Sequence, residues 1–82
     1  MKDGEETLIL YHGTNRRIAN LRAFSFLSKS FLDASVFAAE KGGDIVYEFR
    51  VSSRDVDRDS ETPQCEWYIS KVVLKPFRAH CT

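Results

Sequence analysis

A carboxylate placed where a polar stretch returns to an apolar one can work on a sugar, and Glu66 occupies such a place. Held against a ribose hydroxyl, it would stabilise the positive charge that grows on the ring carbon as a glycosidic bond loosens. Ordinary glycoside hydrolysis pairs that group with a second carboxyl acting as acid, whereas a leaving group that is already a cationic ring, such as nicotinamide, needs no acid. Gln64 lies two residues earlier, and residues two apart on extended chain project to the same side, so both can face one pocket. His12-Gly13-Thr14 supplies an imidazole beside a residue with no side chain to keep a ligand from the backbone. Taken alone, that triplet reads as a strand exit and a turn, and Trp67 and Tyr68 read as core aromatics. Ser28 and Ser30 flank Lys29. Capping of a following helix accounts for Ser30, while Ser28 is left to orient a neighbouring side chain.

The elements that must carry these groups follow from pattern. Residues 7–11 form a short, partly β-branched run that Gly13, Thr14 and Asn15 close, which predicts a buried strand with His12 at its exit. Residues 16–23 hold too little periodicity to assign, and 24–27 predict a second strand leading into the serines. Ser30 as N-cap, Asp33 three residues on, alanine-rich sequence to Lys41 and the Gly42-Gly43 stop predict a helix. Leu32, Val36 and Ala39 share a face of that helix, and Phe37 with Ala38 widens it, so it should be buried on more than one side. Alternation of Ile45, Tyr47, Phe49 and Val51 with Val46, Glu48 and Arg50 predicts a half-buried central strand. Residues 52–64, nearly all polar, predict a surface loop, and residues 67–69 and 72–74 predict one or two further strands before Pro76. The result is one α+β domain over residues 1–82: a small, mostly antiparallel sheet of about five short strands with one clear helix.

Composition narrows the partners. Twelve basic and twelve acidic residues cancel, which leaves no excess of positive charge for phosphate backbones and makes nucleic acid an unlikely partner. The first six residues make a charged, acidic stretch and the apolar run after them is too short for a leader peptide or a membrane span, which points away from membranes and to a cytoplasmic location. Cys65 and Cys81 read as reduced thiols in that setting, and with His12 and His80 they lack any spacing typical of a metal site.

In the order in which they occur, Tyr11-His12-Gly13-Thr14, Ser28-Lys29-Ser30 and Gln64-Cys65-Glu66 resemble the motifs of the ADP-ribosyltransferase superfamily. The resemblance spans roughly residues 8–76 and is closest at 26–30, 34–38 and 46–49. In that family the first strand carries an Arg or a His that holds the NAD ribose, a Ser-Thr-Ser-like motif ends a middle strand before a helix, and a Gln-x-Glu or Glu-x-Glu motif carries the catalytic glutamate. The resemblance implies NAD as substrate, with His12 on the adenosine-side ribose, the Gly13 backbone on the nicotinamide carboxamide beside Thr14, and Ser28 and Ser30 as the serine motif. It makes Glu66 the catalytic carboxylate and Gln64 the residue that orients a protein acceptor. The chain joins the His-Gly-Thr of the poly(ADP-ribose) polymerase-like branch to the serine and Gln-x-Glu motifs of the arginine-containing toxin branch, and it is short between residues 12 and 24. No tyrosine is clearly placed to stack on nicotinamide, a role open to Tyr11, Phe31 or Phe37. That trimming leaves a second expectation, a catalytically inactive module of the same fold, encoded by a phage or mobile element and inhibiting a host protein in the host cytoplasm. A third, RNA 2'-phosphotransferase-like activity, would need Arg16, Arg17 and Arg22 to converge on the pocket.

Overall fold

The computed structural model describes residues 6–58 and 67–81. Strands β1 (Thr7–Thr14), β2 (Phe26–Ser28), β3 (Ile45–Ser52), β4 (Val56–Arg58), β5 (Trp67–Ser70) and β6 (Arg78–Cys81) form one antiparallel sheet, and α1 (Phe31–Glu40) is the α-helix among the described residues. The strand order is β4-β5-β2-β1-β3-β6, so the fold is α+β. The longest ladder joins β1 to β3 in unbroken register from Thr7↔Ser52 to Thr14↔Ile45. Both β2 and β3 run antiparallel to β1 and hence parallel to each other, so the chain between them must cross β1, and α1 makes that crossing.

Gly13 decides how closely α1 lies on the sheet. A Cβ built there would fall within the carbonyl oxygen of Ala34 and 2.9 Å from the backbone nitrogen of Ala38, so the helix backbone rests on the strand backbone. Ala34 and Ala38, one turn apart, are fully buried at this contact. The helix starts on the Ser30 hydroxyl, which accepts from the Asp33 amide at 3.1 Å. It ends in a Schellman arrangement: the Gly43 amide donates to Ala38 and the Gly42 amide to Ala39, with Gly42 at φ +80°.

The second layer lies on the other side of the sheet. Leu10, Leu27, Tyr47, Phe49, Val51 and Val56 point there and pack with Leu21 and Leu74 from the flanking loops. Those loops are tied by reciprocal backbone bonds between Leu21 and Leu74, at 2.8 and 2.9 Å. Buried Ser70 fastens them further, donating to the Arg22 carbonyl and accepting from the Ser25 amide, both at 3.0 Å.

Several expectations are corrected. Leu32 and Val36 are exposed, at 71% and 50%, and Ala39 is exposed as well, because close approach at Gly13 selects the alanine face and turns the larger side chains outward. β1 runs to Thr14, so His12, Gly13 and Thr14 lie within the strand rather than in a turn after it. The second strand is Phe26–Ser28; residues before it form a turn in which Phe24 takes φ +65°. The described part of the expected 52–64 loop contains a 3-10 turn (Ser53–Asp55) and β4, whose Val56 enters the core; one apolar residue leaves no periodic signal. Residues 72–74 contribute only the Leu74 bridge, and the sixth strand follows Pro76. β3 is covered on both sides, since Val46 and Glu48 are buried too, and the middle of the sheet belongs to β2 and β1.

Gly13→Ala should lower unfolding free energy by about 3 kcal/mol, a large share of a small domain's stability. Urea denaturation followed by circular dichroism measures it, and a loss under about 1 kcal/mol would show that α1 can shift freely.

Candidate functional site

β1 carries the first motif that the sequence singles out, β2 ends at Ser28 of the second, and β5 begins at the residue that follows the third in sequence. Tyr11 on β1, Ser28 on β2 and Trp67 on β5 stand opposite one another in a single cross-strand row. Tyr11 precedes His12 in the chain, and Trp67 follows Glu66. Glu66 and Gln64 themselves, with Cys65, lie outside the described residues.

His12 sits where β1 and β2 part, since the two strands share only the Tyr11↔Ser28 pair. Its Nδ1 donates to the Phe26 carbonyl at 2.8 Å, which fixes the neutral ring with its lone pair on Nε2. Burial holds the pKa below the ordinary 6.5, outweighing the Phe26 bond, which raises it; the Lys41 charge adds to the lowering. A neutral imidazole presenting an acceptor suits a sugar hydroxyl.

Gly13 is enclosed by the α1 backbone. The Thr14 hydroxyl accepts from the Arg16 amide at 3.4 Å and is nearly fully buried. The Ser28 hydroxyl accepts from the Ser30 amide at 3.0 Å and is shut off from solvent, while Ser30, part-exposed, caps α1. Each of these residues therefore has a structural use, and His12 and Ser30 are the ones a ligand can reach in this conformation. By strand alternation His12 shares the Leu8 and Leu10 side of β1, whereas Tyr11 and Ser28 share the side that carries α1, where the Tyr11 ring meets Phe31 edge-on at 5.3 Å. Arg16, Arg17 and Arg22 are all exposed.

A polar cluster that the sequence did not reveal lies over β3 and β6. Glu48 is buried, and its Oε1 accepts from His80 Nε2 at 2.9 Å; Arg50 and Arg78 flank the carboxylate at 3.5 and 3.7 Å. Both guanidiniums also pack on the Phe77 ring, and Phe31 contacts the His80 ring. Hydrogen bonding from His80 chiefly, then the charges of Arg78 and Arg50, hold Glu48 below its ordinary 4.5 against the opposing effect of burial. A glutamate between two buried apolar neighbours, Tyr47 and Phe49, was the available signal, but naming its partners required the β3–β6 register.

Cys81 is a free, exposed thiol. Among the described residues no helix is long and apolar enough to cross a membrane, and no group of three His, Cys, Asp or Glu side chains is placed to hold a metal ion. No protein-family model, curated protein or solved structure matches the chain.

Both depressed pKa values have the same sign: the unfolded chain binds the proton more readily, so stability is complete above the unfolded pKa and falls as pH drops through the folded one. Stability should therefore decline first below 6.5 as His12 titrates and again below 4.5 as Glu48 does. Urea midpoints measured across pH check this. Glu48→Gln should be less stable at neutral pH and lose less on acidification, and a wild-type profile flat through both windows would contradict it.

Proposed function

We propose that the protein is an NAD-dependent mono-ADP-ribosyltransferase acting on a protein side chain. The observation that carries this reading is the adjacency of β1, β2 and β5, with Tyr11, Ser28 and Trp67 in one row. The strand that carries His12-Gly13-Thr14, the strand that ends at Ser28 and the strand that starts one residue after Glu66 in sequence are hydrogen-bonded neighbours, which supports the reading. The neutral His12, with Nε2 free to accept, supports a role in holding a ribose hydroxyl.

In this reading Glu66 hydrogen-bonds the nicotinamide ribose and stabilises its developing positive charge. The C–N glycosidic electron pair leaves with nicotinamide, which departs neutral, and the acceptor's nucleophilic atom forms the new bond at the same carbon and gives up its proton. Gln64 orients that acceptor. Ser30 holds the turn at the start of α1, while Ser28, Thr14 and Gly13 keep the strand and helix in place around the site.

One observation favours a second reading, an inactive module that inhibits a host protein by binding it: the Thr14, Ser28 and Ser30 hydroxyls and the Gly13 backbone surface are all engaged within the fold. Calorimetric titration with NAD separates the two, since the transferase gives saturable heat and the inhibitor none.

Glu66→Gln should lower nicotinamide release from NAD by about 10² to 10³, the loss expected for one transition-state charge interaction, with NAD affinity changed only a few-fold. Equal rates for variant and wild type would remove Glu66 from catalysis.

A further inference from the structure

The apolar side chains that α1 turns away from the sheet border an open hollow of about 200 Å³ between the helix and the start of β5, lined by Asp33, Val36, Phe37, Glu40 and Trp67. Its walls are aromatic: Phe37 and Trp67 meet at 5.6 Å between centroids, and Trp67 rests in turn against Phe26 at 6.3 Å. Leu32, 71% exposed, extends the apolar strip along the helix. Two carboxylates lie on the lining, and neither Asp33 nor Glu40 makes an ion pair among the described residues. The Lys41 ammonium lies 4.3 Å from the centre of the Phe37 ring, a cation–π contact within the chain itself.

We propose that the hollow docks a segment of another protein carrying a lysine or arginine beside an apolar side chain, and that this segment presents the acceptor. The first half stands on charge and shape alone; the second rests on the transferase reading. The apolar side chain takes the space over Val36 and Trp67, while the cation reaches Asp33 or Glu40 across a partly desolvated rim. A second copy of this chain is a poor occupant, because its same patch offers Asp33 and Glu40 along with Lys41, more negative charge than positive. Residues 59–66 carry three carboxylates and no cation, so they cannot supply the complementary charge either. In sequence Trp67 directly follows Gln64-Cys65-Glu66, and the second half of the proposal rests on that adjacency in the chain.

Trp67 is the sole tryptophan, so its fluorescence reports on the hollow directly. The probe is a short peptide of alternating leucine and arginine, run against one with glutamate for arginine and one with alanine for leucine. Titrated into the full chain, the first should shift Trp67 emission saturably at concentrations on the order of tens of micromolar, and the other two should not. Glu40→Lys, a change that suits a helix C-terminus and so spares folding, should weaken the response about tenfold. The same variant should leave nicotinamide release with water as acceptor unchanged and lower labelling of a protein acceptor. If no shift appears, or the glutamate peptide gives an equal one, docking is overturned whatever the fate of NAD. If the arginine peptide binds and no nicotinamide is released by wild type, docking stands and the transferase reading falls.

Discussion

The contact of α1 with Gly13 sets the layout of the molecule. With β2 and β3 on either side of β1, the connection between them must pass over β1, and the distance at which it passes depends on what projects from the strand beneath. Glycine at 13 with alanines at 34 and 38 lets two backbones touch. The helix axis is then fixed relative to the sheet, and so are both its ends: the Ser30 cap beside Ser28 at one, and the Gly42 stop at the other, where the Asn15 amide donates to the Lys41 carbonyl at 3.0 Å. A larger residue at any of the three positions would separate the layers and displace the serine turn from β2.

Close approach also explains the apolar surface. A helix that buries alanine spends little of its apolar area on the sheet, so Leu32 and Val36 remain outside with Phe31 and Phe37 at their flanks. Most of the hydrophobic stabilisation comes instead from the opposite side, where Leu10, Leu27 and Phe49 are fully buried and two loops replace a second helix as cover. Irregular backbone buried in this way must have its polar groups satisfied. Ser70 and the Tyr47 hydroxyl, which accepts from the Ile18 amide at 2.9 Å, do much of this for the loops. Each fixes covering chain to a strand that the ladders already hold rigid.

What the sequence made legible was whatever local chemistry determines. Ser30, Asp33 and Gly42-Gly43 act on the backbone within a turn of themselves, so α1 was readable to within a residue at each end. The β-branched and aromatic runs of β1 and β3 were readable for the same reason, and the α+β class followed. The buried side of the helix was not, because hydrophobicity favours Leu32 and Val36 while the choice was made by Gly13, many residues away. β4 and β6 escaped because short edge strands are held by the backbone of a partner and need no apolar alternation. Of the candidate site, the residue types were legible and their strand adjacency was not. Nothing local announces that β5 pairs with β2 or that β2 pairs with β1.

Structural use leaves reachable hydrogen-bonding capacity on some of the residues that the sequence singles out and none on others. A serine hydroxyl offers one donor and two acceptor sites, so Ser30, which accepts once from the Asp33 amide, retains its donor. His12 spends its Nδ1 proton on Phe26 and retains Nε2. Gly13 and Ser28 are different, because the first has no side chain and the second has no solvent-facing surface. Their contribution is to hold the strand and the helix start so that the reachable groups stay fixed, a requirement that catalysis and binding impose alike. The Gly13 crossing and the Ser30 cap act on one helix, and together they hold β1 and the end of β2 in a single arrangement.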